Sequence, residues 1–309
     1  MIRKFGGPEV LELAEVPAPV PGDDQVLIQV QAASVNPVDW RIRDGAAKTY
    51  AKTTFPTILG CDLAGVVAEV GERVSNFAVG DRVFAMMPHD WGAQAELVAL
   101  AEGLVVKLPS GLSMEEASAL PVPGLTALLA LRTRGKVHAG QRVLINGGSS
   151  SVGMAAVQIA AADGANVTAV CGQDSFGVLT ELGATELIDY RTTDFAAGPT
   201  KYDLIFDCIG NKPHGACKGV INSHGAHVTT TPRVATFIRQ FLNPLFSVKV
   251  YPLITTGDGS QLAAIKSLVE AGKLRPVIDR ILPVDEVAAA HQYSKSGRAK
   301  GKIVLQFAR

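Results

Sequence analysis

The feature that most constrains the fold is the run Leu144-Ile-Asn-Gly-Gly-Ser-Ser-Ser-Val-Gly-Met154, which sets small residues between an apolar strand and an Ala-rich helix. Around it the order is strand 142–146, helix 154–162, strand 166–171, helix 176–182 and short strand 186–190. Strands alternating with helices predict βαβ units and a parallel, doubly wound sheet. Two further strands, 202–207 and 225–230, are expected to extend it. Backbone N–H groups at the start of such a helix, with its dipole, suit a diphosphate, and small side chains let one approach. The turn has Gly147, Gly148 and Gly153 with serines at 149–151, so it departs from G-x-G-x-x-G, and a generic βα turn stays open as the alternative. The strand 166–171 ends at Cys171-Gly172 with no acid to hold the ribose hydroxyls, which favours NADPH over NADH.

The flanking sequence has a different texture. Residues 26–35, 63–70 and 81–86 are short β-rich runs separated by Gly and Pro, which predicts a mostly β unit. Pro17, Pro19 and Pro21 are read as a link after a first hairpin, since proline fixes φ and interrupts pairing. Ser113 and Glu116 stand at capping-box spacing and start a helix. A helix over 261–271 ends at Gly272, a residue that tolerates the left-handed cap. Strands at 277–282 and 301–307 are expected to return to the first unit. The expected division is therefore α/β, with a discontinuous mostly β domain over 1–118 and 273–309 and a doubly wound domain over 119–272.

Composition excludes several classes. A length of 309 residues suits two domains. Lys plus Arg (29) equals Asp plus Glu (29) and no dense basic tract appears, so no nucleic-acid partner is expected. Cys61, Cys171, Cys208 and Cys217 form no C-x-x-C pair, and the opening residues lack a secretory apolar region, so a reducing, cytoplasmic setting is expected. The most apolar long stretch, 152–170, carries Asp163 at its middle and reads as a buried helix and strand, not as an integral membrane segment.

The runs Ala33-Ser-Val-Asn-Pro-Val-Asp-Trp40, Gly60-Cys-Asp-Leu-Ala-Gly-Val-Val67, Gly80-Asp-Arg-Val83, Pro123-Gly-Leu-Thr-Ala127 and Gly301-Lys-Ile-Val-Leu305 carry a resemblance over almost the whole chain. They resemble the quinone oxidoreductase (zeta-crystallin-like) branch of the medium-chain dehydrogenases/reductases, closest to chloroplast-envelope-type quinone or enone oxidoreductases and their bacterial relatives. The resemblance implies a GroES-like catalytic domain, a Rossmann cofactor domain, a homodimer, and hydride transfer from NADPH to a quinone or enone. It also implies no metal. In zinc-dependent relatives the positions matching Asn36 and Val122 are cysteines, and Gly60-Cys61-Asp62 stands where a Gly-His-Glu element supplies further groups. The structural-zinc lobe would fall after Val83, where only a few residues intervene before Trp91. Cys61 with Asp62 as half a metal site lacks a histidine at useful spacing.

Carried over by position, Asn36 and Thr126 lie beside the nicotinamide, and Ser149, Ser150, Ser151 and Val152 line the diphosphate. Cys171, Gly172 and Ser175 fall near the adenosine 2′-phosphate, Tyr190 against the adenine ribose, and Cys208-Ile209 near the nicotinamide ribose. Each has a plainer alternative: Asn36 as a turn cap before Pro37, Tyr190 as a strand-end core residue, Thr126 as a helix-start hydroxyl. Asp174 stands where close relatives carry a basic residue, which keeps NADH possible, and Lys201, Arg191 and Lys302 are candidates for the compensating cation. The implied catalysis is orientation of a hydride donor plus hydrogen bonds to the carbonyl, with no titrating nucleophile. Tyr50 is a candidate proton donor or a surface tyrosine. Trp40, Trp91 and Phe246 are an apolar substrate wall or plain core, and residues 237–252 a pocket cover or a dimer interface. A catalytically quiet nucleotide-binding protein is the second reading; the missing ligands count against a third, a zinc alcohol dehydrogenase, and nearly exclude it.

Overall fold

Strand β1 (Gln25–Val35) is buried along most of its length and pairs with three neighbours. The computed structural model describes residues 1–48, 53–88 and 91–307. After β1 come α1 (Pro37–Arg43), β2 (Asp62–Val70), β3 (Arg82–Met86), β4 (Leu97–Ala101), β5 (Val105–Lys107) and α2 (Met114–Ser118). β2 and β4 both run antiparallel to β1, and their inward Val, Ile and Leu side chains share one core with Val83 and Ala85 of β3. The predicted capping box starts α2: Glu116 N–H donates to Ser113 Oγ at 3.1 Å and Ser113 N–H to Glu116 Oε2 at 2.9 Å. The expected first hairpin is absent. Among the described residues, a bridge from Ile2 to Thr57 and a 3-10 turn at Pro8–Val10 are what stands upstream of β1, because the proline-rich stretch is largely exposed and its prolines have no N–H to pair.

The second unit is a parallel sheet. Its elements are α3 (Pro121–Leu128), β6 (Arg142–Asn146), α4 (Ser151–Ala162), β7 (Asn166–Cys171), α5 (Phe176–Glu181), β8 (Glu186–Asp189), β9 (Tyr202–Asp207), α6 (His214–Cys217), β10 (Ile221–Thr229), α7 (Val234–Phe241) and β11 (Lys249–Pro252). The strand order is β11-β10-β9-β6-β7-β8, all parallel. It is the doubly wound order, with the crossover direction reversing between β6 and β9. Both faces of the central strands are covered, which explains their unbroken apolar runs: Val143, Leu144 and Ile145 are all 0% exposed.

The chain then returns to the first unit through α8 (Gly259–Glu270), β12 (Ile278–Pro283), α9 (Val287–Lys295) and β13 (Lys302–Gln306). β13 pairs antiparallel with β1 and parallel with β12. The units divide as Met1–Val122, Thr256–Ala271 and Pro276–Arg309 against Pro123–Thr255 and Gly272–Arg275. This departs from the expected boundaries, because α8 packs on the first unit. A Cβ on Gly259 would stand 2.1 Å from the carbonyl oxygen of Gly103, so only glycine permits that approach. Asp258 caps this helix, accepting from Ser260 N–H and Gln261 N–H, which sets its start two residues before the expected one.

The central strand β6 has no slack. Leu144→Ala is expected to lower unfolding free energy by about 2–5 kcal/mol, through lost transfer energy and a residual cavity, as measured by urea denaturation.

Candidate functional site

Three strand ends bring polar side chains together in the first unit. The end of β1 supplies Ser34 and Asn36, the start of β2 supplies Asp62, and the start of β13 supplies Lys302. Lys302 Nζ stands 2.9 Å from Asp62 Oδ2, with the two side chains 2% and 0% exposed. The same ammonium donates to Asn36 Oδ1. Asp62 Oδ2 also accepts from Ser34 Oγ at 2.7 Å and Asn36 Nδ2 at 3.0 Å, and Oδ1 accepts from Val122 N–H at 2.9 Å. A buried ion pair is tolerable only with its remaining lone pairs and protons satisfied, and these contacts do that. Asn36 occupies the N-cap position of α1, yet its amide turns to Asp62 and Lys302 and does not cap the helix.

Asp39, in the first turn of α1, accepts from Asn36 N–H at 2.7 Å and from the Cys61 thiol at 3.5 Å. Burial pushes its carboxyl up to about 7; the Asn36 N–H opposes that rise and the neighbouring Asp62 adds to it. The cluster thus holds one ammonium and two carboxyls, one of which keeps its proton well above the usual carboxylate range.

Of the positions that the resemblance aligns with zinc ligands, Asn36 and Asp62 bond the Lys302 ammonium, Val122 N–H donates to Asp62, and the Cys61 thiol donates to Asp39. Burial, then Asp39 and Asp62, push the Cys61 thiol well up, away from the thiolate a metal requires. Among the described residues no group of three or more His, Cys, Asp or Glu side chains could hold a metal. This donor set does not fit a catalytic zinc.

In the second unit the βα turn has the close approaches a nucleotide cradle needs. Gly147 has φ +86°, and a Cβ there would meet Ile209 at 2.6 Å; a Cβ on Gly153 would lie 2.1 Å from Gly147 O. Ser150 caps α4. Its Oγ accepts from Gly153 N–H at 3.0 Å and donates to Gly147 O at 2.8 Å, so the hydroxyl is committed to the turn itself. Ser149, Ser151 and Val152 are partly exposed beside it, where the first N–H groups of a helix lack intrahelical acceptors. The diphosphate cradle therefore fits a dinucleotide through backbone and the outer serines.

At the switch between β6 and β9, Asn146 Nδ2 donates to Asp207 Oδ1 at 2.8 Å and to Asn211 Oδ1 at 2.8 Å. Asp207 Oδ1 also accepts from Ile209 N–H and Gly210 N–H. These bonds fix the Cys208-Ile209 turn. Thr126 lies within α3, not at its start, is 6% exposed and shares a 3.0 Å hydrogen bond with Thr255 Oγ1.

At the tip of β7, Cys171 and Ser175 are buried, 1% and 2% exposed, whereas Tyr190 is 59% exposed after β8. A Cβ on Gly172 would meet Asp174 Oδ1 at 2.8 Å and an Arg191 guanidinium nitrogen at 3.1 Å. Of the three candidate cations, Arg191 is thus the one at this tip. Lys302 is committed to Asp62 in the other unit, and Lys201 precedes β9, at the N-terminal end of the parallel strands and so opposite the tip of β7. Trp91 packs against the Ile2, Ile42 and Leu59 core, and Phe246 is 47% exposed beneath the Arg239 guanidinium, 3.9 Å from the ring centre. Tyr50 lies outside the described residues. The sequence reading did not single out Asp39, Asn146, Asp207 or Thr255. A polar residue ending an otherwise apolar strand was the available signal for Asn146 and Asp207.

Residues 22–110 match the family described as alcohol dehydrogenase GroES-like domain, and residues 182–305 the one described as zinc-binding dehydrogenase. The chain is 35% identical over 313 residues to a chloroplastic quinone oxidoreductase of Triphysaria versicolor, covering 97% of this chain and 95% of the relative. It is 34% identical over 313 residues to the 2-methylene-furan-3-one reductase of Solanum lycopersicum, covering 97% and 76%. Among solved structures, the quinone oxidoreductase of Coxiella burnetii superposes with a TM-score of 0.91 at 31% identity, covering 100% of this chain and 98% of that one.

Removing the ammonium should leave Asp62 buried and unpaired. Lys302→Met is expected to cost about 3–5 kcal/mol by chemical denaturation. For Asp39, the folded state holds the proton more tightly than the unfolded chain does, so its contribution is complete below pH 3.8 and is lost as pH rises through about 7. Asp39→Asn should flatten the decline in stability over that window, and an unaltered slope would show that Asp39 does not carry it.

Proposed function

Because the chain belongs to the quinone oxidoreductase branch of the medium-chain dehydrogenases/reductases, we propose that it reduces quinones or α,β-unsaturated carbonyls with NADPH and without zinc. The chain is an NAD(P)H-dependent oxidoreductase. The observation that carries the metal-free reading is the Lys302 ammonium paired with Asp62 where the zinc-dependent branch gathers its ligands. The bound nicotinamide supplies the hydride; the protein supplies position and hydrogen bonds. Lys302 fixes the orientation of the Asn36 amide by holding its oxygen, and Asp62 takes one Nδ2 proton. The second Nδ2 proton is left to hold the nicotinamide carboxamide or polarise the acceptor carbonyl. Thr126, braced by Thr255, holds the same ring. The Ser149, Ser151 and Val152 segment takes the diphosphate, and Cys208-Ile209 offer backbone to the ribose, as the Asp207 turn presents them.

NADPH over NADH rests on Arg191, placed beside Gly172 where no acid closes β7. Cys171 and Ser175, buried under this tip, shape it from below, and Tyr190 covers the adenine ribose. We assign the protein to the cytoplasm as a homodimer joined along β11, the end strand of the parallel sheet. Among the described residues no helix is long and apolar enough to cross a membrane.

The test is NADPH and NADH consumption with a short alkenone and a naphthoquinone, before and after treatment with a zinc chelator. Turnover with at least one acceptor, insensitive to chelation, is expected; activity that chelation abolishes and zinc restores defeats the metal-free reading. Arg191→Ala should raise the KM for NADPH about tenfold or more while leaving that for NADH nearly constant, since a charged hydrogen bond to the 2′-phosphate is lost.

A further inference from the structure

The parallel-sheet unit holds a second feature, a cavity that is not lined by the residues assigned above to the nucleotide itself. Between α6 and α7, over β10 and β11, lies a cavity of about 610 Å3, within the size range of small-molecule sites. Its floor includes His227 of β10, 2% exposed, and neither ring nitrogen of His227 has a hydrogen-bond partner. His214, at the start of α6, stands across from it with ring centres 5.8 Å apart, and its Nδ1 is likewise unpartnered. Burial holds both imidazoles down to about 4, so each is neutral near pH 7 and keeps one N–H to donate. A buried polar nitrogen without a partner is rare in a folded protein, and here two such rings face one space.

The charges around this space are of one sign. Lys218, Arg233 and Arg239 line it and make no salt bridge among the described residues, whereas Lys212 is held by Asp194 at 2.6 Å. The single acid of the lining, Asp207, is spent on its own turn and on Asn146. Phe246 and Val250 supply an apolar side. Thr229 and Thr231, at the carboxyl end of β10, line the same space, so it reaches the strand ends where α/β sheets bind their ligands.

We propose that this cavity is an organic-anion subsite, in which Lys218, Arg233 and the His214–His227 pair receive the carboxylate of a conjugated carbonyl substrate whose carbon chain lies along Phe246. This names a substrate class for the reductase reading above and rests on it for the reacting carbonyl, but not for the binding of the anion. Arg239 shapes the wall: it donates to Val248 O at 2.9 Å and to Asn243 Oδ1 at 3.0 Å.

Two measurements separate the subsite from the reaction. Octanoate is titrated calorimetrically into the nucleotide-free protein and into the double variant Lys218→Ala with Arg233→Ala. Saturable binding, weakened about tenfold or more in the variant, is expected. Methyl-ketone enones carrying a terminal carboxylate on chains of two, four or six methylenes are then compared with their methyl esters. One chain length should show a KM for the acid about tenfold below that of its ester, and the double variant should erase that preference. Octanoate binding with turnover of neither the enones nor a naphthoquinone would defeat the reductase reading and leave the subsite standing, whereas turnover of the naphthoquinone alone would overturn the substrate assignment. Turnover of the esters with no acid preference at any length, or an acid preference that survives the double substitution, would overturn the substrate assignment. Absence of octanoate binding would overturn the subsite itself.

Discussion

A lysine ammonium with 2% of its side chain exposed has to be matched by a carboxylate, and Lys302 is matched by Asp62. The partners lie 240 residues apart in sequence, so the pair exists only once the C-terminal strand β13 has returned beside β1. That return does more than complete a sheet. It brings the cation that fixes the Asn36 amide, and through Asp62 it gathers Ser34 and the backbone of Val122 as well. Few replacements are compatible with this set. A shorter residue at 302 leaves a buried charge, and an apolar one at 62 strands the ammonium.

The parallel-sheet unit solves a similar problem with a different mix. Asn146 and Asp207 end adjacent strands and meet where the winding reverses, and their hydrogen bonds set the path of the following turn. The turn after β6 is shaped by close backbone approach, with Gly153 against Gly147 O, and by a serine that caps its own helix. Ser150 illustrates how a side chain can shape a turn without being free itself: its hydroxyl accepts from Gly153 N–H and donates to Gly147 O, so both of its roles are taken up by the turn.

Local periodicity made the parallel sheet readable. The apolar runs of β6, β7 and β9 are covered on both faces, and their lengths and glycine boundaries distinguish them from helices. The Ser113 cap was legible for the same reason, since its partner is three residues away. What escaped was set by distance or by exposure. No local pattern ties Lys302 to Asp62, or places α8 on Gly103. The proline-rich segment before β1 is largely exposed and its prolines have no N–H to offer a neighbouring strand, so no hairpin is seen among the described residues. The position of Arg191 beside Gly172 likewise depends on the turn after β8, which no local pattern sets.

The charge balance of the Lys302 cluster bears on which acceptors suit the site. A bound divalent metal polarises a carbonyl as a Lewis acid, worth several kcal/mol of transition-state stabilisation. An ammonium already neutralised by Asp62 supplies little of that, and Asp39, whose carboxyl keeps its proton up to about 7, adds no compensating field. On the proposed reading, polarisation then falls to hydrogen-bond donors such as the Asn36 amide, which are weaker than a metal. An isolated ketone demands strong polarisation before it accepts hydride. A quinone or an enone does not, because conjugation has made its accepting carbon electrophilic in advance and spreads the incoming charge onto an oxygen several bonds away. On that same reading, an ammonium paired with a carboxylate at this position suits acceptors that bring their own activation, so the charge at one buried position bears directly on the proposed chemistry.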